Sequence, residues 1–203
     1  MKISLLPNLT LNQHGHLVNE KGDLVHLRQG DMDGACGPYC VVMSLLVKGV
    51  VTRNEFTPPL AVDYRTRSGR VLKAIHSTDP LVLGGMTDEQ LQELFLAHNT
   101  ASTTAANGQS KNMLAQAKAA IESGSPVIMD VESRKEDGLS HWTLGIGSCE
   151  NCIYLLDPGY ELPVGSYWNA MLTVNPSSNR FGYRYISPFR CVDVEVSSIL
   201  IVD

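Results

Sequence analysis

Apolar positions crowd together over residues 36–48, where Cys40, Val41, Met43, Leu45, Leu46 and Val47 follow one another almost without a polar break. That density predicts a buried helix opened at Cys36 and ended by Gly49, with Pro38 tolerated because first-turn N–H groups have no intrahelical partner. Residues 1–28 mix Leu and Val with Asn, His and Gly, and predict a small hairpin turning at residues 20–23. Residues 50–84 show little periodicity and predict a loop with one short helix around Val71 and Ile75. Thr87 and Gln90 stand at capping-box spacing ahead of Leu91, Leu94, Phe95 and Leu96, which predicts a helix to about His98.

The small polar run over residues 100–110 predicts an exposed loop, a candidate cleft rim or cleavage site. Over residues 111–123, Met113, Leu114, Ala117, Ala120 and Ile121 share one helical stripe, ended by Gly124. The pattern then turns to strands at residues 126–131, 141–147, 152–157, 181–186 and 192–202, the second and third joined by a turn at 148–151. Helices first and antiparallel strands last make an α+β plan, and no internal repeat is visible.

Composition narrows the class. A chain of 203 residues supports one core, so a single domain over residues 1–203 is expected, and 43% hydrophobic with 18% charged residues is an ordinary globular balance. The net charge of -5 and the lack of basic runs leave no field for a nucleic acid. No stretch reaches the roughly 20 apolar residues of a membrane span, and residues 1–7 lack the features of a secretory signal, so a cytoplasmic location is expected. Signal-independent secretion would leave no trace in such a pattern. Five cysteines, Cys36, Cys40, Cys149, Cys152 and Cys191, are an odd number, which favours reduced thiols over a disulfide framework. Cys149 and Cys152 have the spacing of half a zinc site, but no second pair of ligands follows, so the segment reads as a hairpin turn and no metal or cofactor is expected.

Candidate chemistry gathers around Cys36. A helix N-terminus favours a thiolate, and Gly34 and Gly37 flank the sulfur so that a substrate backbone could come close. Taken singly, Cys36 is an ordinary buried cysteine. Gln29, seven positions upstream, could fold back to donate its amide to an oxyanion beside the Cys36 N–H. Of the six histidines only His141 opens a strand, whereas His14, His16, His26, His76 and His98 fall in loops or on helix ends where solvation is the default. Asp157 ends the paired strand and could reach the His141 ring across it. Cys40, one turn after Cys36, ranks below it as a nucleophile because it lies inside the helix without flanking glycines. Trp142 and Trp168 read as core or cleft-wall residues.

In the order Gln29, Cys36, His141, Asp157, these residues resemble the site of papain-like cysteine peptidases, and most of all the double-glycine leader peptidases of bacteriocin exporters and their soluble relatives. The matching positions are Gln29, Asp33, Cys36-Gly37, Ser140-His141-Trp142 through Gly145, and Leu155-Leu156-Asp157-Pro158, with residues 111–131 resembling the segment that precedes the family's histidine strand. The spacing from Gln29 to Cys36 is one residue longer than the family's, and the fused transporter of the exporters has no counterpart here. The resemblance implies a papain-like fold, with the nucleophile at the start of a central helix packed on a C-terminal antiparallel sheet. It also implies a thiol hydrolase acting on a peptide or protein substrate through a Cys36–His141–Asp157 triad, with Gln29 at the oxyanion. Two alternatives use the same residues: an acyltransferase or transglutaminase-like enzyme, and an inactive papain-like binding module. Specificity would lie in the loops at residues 50–84 and 99–110, and nothing in the residues favours an effector or toxin role over a housekeeping one.

Overall fold

The computed structural model describes residues 3–30, 34–56, 62–77, 85–106, 110–133, 139–174 and 182–203. The crowded apolar run forms helix α1 (Cys36–Val47), in which every residue except Tyr39 is buried. A helix apolar all round must be enclosed by other elements. Helix α3 (Asp88–His98) packs against α1 and begins as its capping box dictates: Thr87 N–H donates to Gln90 Oε1 at 2.9 Å, and Gln90 N–H donates to Thr87 Oγ1 at 3.4 Å. Asn99 ends α3 in the left-handed region at φ 69°. Helix α2 (Arg67–Ser77) packs on α3 and extends well beyond the short helix expected around Val71.

Helix α1 packs against β6 and β5 of a closed ring of strands. The ten strands of the described residues are β1 (Ser4–Leu5), β2 (Thr10–Leu11), β3 (Leu17–Val18), β4 (Ser102–Ala106), β5 (Val127–Glu132), β6 (Ser140–Cys149), β7 (Cys152–Leu156), β8 (Ala170–Val174), β9 (Tyr183–Ile186) and β10 (Cys191–Val202). Strands β6, β5, β10, β9, β8 and β7 pair in that order, and β7 returns to pair with β6, so the six antiparallel strands close on themselves. Closure removes the open sheet edges that invite intermolecular pairing. Strand β1 attaches outside the ring on β6, and β4 on the second half of β10. Helix α4 (Ser110–Glu122) packs across β6 and β10.

The α+β class holds, with three revisions to the expected elements. Part of the small polar run at residues 100–110 is strand β4, paired in register from Ser102↔Val202 to Ala106↔Ser198. Small β-tolerant residues there meet a partner whose apolar side is already buried, so tertiary pairing overrides local polarity. Near the N-terminus the expected turn at residues 20–23 is present, with Asn19 N–H donating to Asp23 O at 3.0 Å and Val18 bridged to Leu24, and a further hairpin, β2–β3, turns at residues 12–16, where Asn12 N–H donates to His16 O at 2.9 Å. The third concerns the thiols. Cys149 and Cys152 form a disulfide, leaving Cys36, Cys40 and Cys191 free. They are register partners at the tip of the β6–β7 hairpin with Cα atoms 5.0 Å apart, inside disulfide range. An odd total excludes complete pairing but not one local pair.

Candidate active site

Cys36 is the first residue of α1 and is 8% exposed. The N-cap is Ala35, whose methyl side chain cannot itself cap the first-turn N–H groups. Gly37 has a role the sequence did not suggest. A Cβ there would lie 2.8 Å from Leu91 Cδ2 and 3.2 Å from Trp142 Cδ1, so its bareness lets the start of α1 sit against α3 and β6. Trp142 is itself fixed by an indole N–H that donates to Met86 O at 2.8 Å.

Alternation along β6 sends Trp142 to one face and His141 to the other. The His141 ring is 14% exposed, and its Nε2 pairs with Asp157 Oδ1 at 2.7 Å. The register Leu144↔Leu156 places Asp157 just past the end of β7, diagonal to His141, where the backbone turns through Pro158 and Gly159. The Cys36 thiol is the other group that acts on the His141 ring. With Nε2 engaged by Asp157, Nδ1 is the ring nitrogen left for the thiol. Burial disfavours the imidazolium, but the Asp157 hydrogen bond, the Cys36 thiol and the charges of both outweigh it and raise the His141 pKa to about 10.

Asp157 has no exposed side-chain surface. Burial alone would raise its pKa, yet the value is lowered by the His141 hydrogen bond and charge, by Tyr185 and by Gly159. Gly159 N–H donates to Oδ1 at 2.6 Å, and the Tyr185 hydroxyl donates to Oδ2. A Cβ on Gly159 would lie 3.1 Å from Oδ1 and 3.7 Å from His141 Cε1, so the Pro-Gly turn gives this loop its close approach as well as its reversal.

The backbone of Asp157 is held too. Its N–H donates to Asn169 Oδ1 at 2.7 Å, while Asn169 Nδ2 donates to Asp157 O at 2.8 Å and to Tyr160 O at 2.9 Å. Those two bonds use both amide hydrogens of Asn169, so the contact of His26 Nε2 with Asp157 O at 3.1 Å is a donation from His26. His26 is therefore a structural partner of Asp157 and departs from the solvated default, with burial lowering its pKa. His98 departs from it as well: it is 2% exposed and its Nδ1 lies 2.7 Å from Thr100 Oγ1.

Gln29 lies on the same segment as His26, and its backbone N–H donates to Pro158 O at 2.9 Å. That bond brings Gln29 alongside the end of β7, while Asp33 lies outside the described residues. Cys40 is fully buried, and burial, then the charges of Cys36 and Asp157, push its thiol well above the ordinary value. Such a group has neither the surface nor the ionisation of a nucleophile. Trp168 stacks on Tyr154 with ring centroids 4.1 Å apart.

Sequence reasoning missed Asn169, Tyr185 and His26. Tyr185 carried a usable signal, since Tyr183 and Tyr185 alternate onto a buried face and a buried hydroxyl requires a partner. Asn169 precedes a strand, β8, that the pattern did not reveal. Beside the start of α1 a mainly apolar cavity of about 400 Å³, lined by Leu27, Pro38, Phe56 and Leu72, also carries Arg28 and Arg53 on its wall. Phe56 and Leu72 come from the stretch at residues 50–84 expected to shape specificity. Among the described residues no helix is long and apolar enough to cross a membrane.

No protein-family model matches the chain, and no curated protein matches its sequence. Among solved structures, the chain is similar at 13% identity and a TM-score of 0.48 to a crystal structure from Bacillus anthracis provisionally described as a C39-like peptidase, over 100% of this chain and 98% of that one.

Proposed function

We propose that the protein is a thiol hydrolase that cleaves a peptide or isopeptide bond through an acyl-enzyme. Cys36 attacks the carbonyl carbon as the thiolate of an ion pair with His141, while Gln29 and the Cys36 N–H receive the oxyanion. His141 gives its proton to the leaving amine as the C–N bond breaks. Water then adds to the thioester carbonyl with His141 taking its proton, and the thiolate departs as the acid is released. Asp157 keeps the imidazole oriented and supports its charge throughout.

The observation that carries this reading is the His141–Asp157 hydrogen bond to a fully buried, fully bonded carboxylate, with the Cys36 thiol among the groups that raise the His141 pKa. Buried charges assembled at this density without a structural need are characteristic of catalytic sites. The mainly apolar cavity beside Ala35 and Pro38 supports a substrate with an apolar side chain near the scissile bond.

Peptide, ubiquitin-like and cell-wall scaffolds carrying a C-terminal electrophile should be offered in parallel, with Cys36 labelling read by mass spectrometry. At least one is expected to label Cys36, and Cys36→Ala is expected to lose turnover of the matching substrate while its circular dichroism is unchanged. Undiminished turnover in Cys36→Ala would sink the proposal. Amide products formed when primary amines are added would redirect it from hydrolysis to acyl transfer.

A further inference from the structure

The carboxylate of Asp157 meets a donor that belongs to neither the triad nor its own loop. Tyr185 is on β9, between Leu172 of β8 and Val192 of β10, and is 1% exposed. Its hydroxyl points into the ring of strands and donates to Asp157 Oδ2. Oδ1 is already committed to His141 and to the Gly159 N–H. With no surface exposed to water, Oδ2 has this hydroxyl as the donor that balances it. The Ser187 side chain, in the turn between β9 and β10, acts on the tyrosine hydroxyl in the opposite sense to burial and lowers its pKa. A change at that surface turn can therefore be felt at the back of the carboxylate through Tyr185.

We propose that Tyr185 is a positioning residue for the Cys36–His141 pair, acting through Asp157 by fixing the carboxylate's rotation and stabilising its charge. The inference rests on the reading of Cys36 and His141 as nucleophile and base. Three donors on one carboxylate leave it a single orientation, with one oxygen on the imidazole. Without the hydroxyl, Oδ2 has no donor of its own, the carboxylate is free to rotate, and its proton is held more tightly. The imidazolium then loses its counter-charge at a higher pH. Burial first, then the charge of Asp157, drives the Tyr185 pKa far upward, so the hydroxyl remains a donor over the whole working range.

The test needs no knowledge of the substrate. The rate of Cys36 alkylation by iodoacetamide is measured from pH 4 to 9 for the wild type, Tyr185→Phe and Ser187→Ala, with fold monitored by urea midpoint. In the wild type, labelling selective for Cys36 and persisting well below neutral pH is expected. In Tyr185→Phe the acidic limb is expected to move up by about one pH unit, slowing labelling about tenfold below it. Ser187→Ala should move the limb the same way by less. A purely structural tyrosine would lower the urea midpoint and leave the limb in place, and superimposable limbs for the wild type and Tyr185→Phe overturn the inference. Should Tyr185→Phe fail to fold, an unmoved limb in Ser187→Ala overturns it instead. Absence of selective labelling in the wild type would strike the underlying reading of the site, a result distinct from either.

Discussion

The two sides of the site are built on different principles. On the side formed by β6, β7 and β9, Asp157 is held through both carboxylate oxygens, its amide and its carbonyl, by His141, Gly159, Tyr185, Asn169 and His26. On the side formed by α1, the position of Cys36 is set by fit: a bare Gly37 against Leu91 and Trp142, and an enclosed apolar helix behind it. Hydrogen bonds fix direction, whereas packing fixes place. In the proposed roles, a base and its orienter would depend on direction, because a few degrees decide which lone pair faces the thiol. A nucleophile at a helix start would depend on place, because the helix itself supplies its orientation.

This contrast can be broken at either side. The largest effect is expected from His141→Ala, which removes the base and should slow Cys36 alkylation at pH 6 and abolish turnover by about a thousandfold or more. Asp157→Asn should follow closely and carries a signature in pH. The His141 pKa in the folded protein, about 10, lies above its ordinary 6.5, so its stabilisation is complete below pH 6.5 and is lost as pH rises toward 10. The Asp157 pKa lies below its ordinary value, so its share is present above about pH 4 and is lost as pH falls further. Urea midpoints of the wild type should therefore decline between pH 6.5 and 10, and Asp157→Asn should flatten that decline. A decline that persists unchanged would remove the ion pair as its source.

The helix side should respond differently. Gly37→Ala places a methyl group 2.8 Å from Leu91 Cδ2 and 3.2 Å from Trp142 Cδ1, and should cost about 1–3 kcal/mol of stability at every pH. Its labelling limb should stay where the wild type's is, since no hydrogen bond to Asp157 changes. The smallest effect is expected at the far tip of the hairpin. Replacing Cys149 and Cys152 by Ser opens a disulfide spanning only three positions, worth about 2 kcal/mol or less, and should leave Cys36 labelling untouched. Reduction followed by mass spectrometry checks both the bond and its remoteness.

How much of this could be read from the chain follows the same division. Thr87 with Gln90, the apolar run after Cys36 and the strand pair beginning at His141 are local signals, and each lies where its pattern put it. Cys36, His141 and Asp157 are likewise marked by local context: a helix start, a strand start and a strand end. What was illegible depends on distant pairing. Residues 102–106 look like loop until β10 lies beside them, and Asn169 is an unremarkable polar residue until Asp157 comes between its oxygen and nitrogen. In the sequence Gly37, beside Cys36, suggests room for a substrate, and in the fold it is room for Leu91 and Trp142. Spacing can suggest that a side chain must be absent, but not what fills the gap.

The closed ring also has a bearing on the order in which the molecule is assembled. Strand β10 lies between β5 and β9, and it is the last of the ten strands to leave the ribosome. Before it arrives, β9 is already joined to β6 through β8 and β7, so the wall that carries Tyr185 and the wall that carries His141 belong to one open sheet. Every group that bonds Asp157 likewise lies ahead of β10 in the chain. The surroundings of that carboxylate can therefore form on an open sheet, and the last strand adds the two seams, to β5 and to β9, that close it.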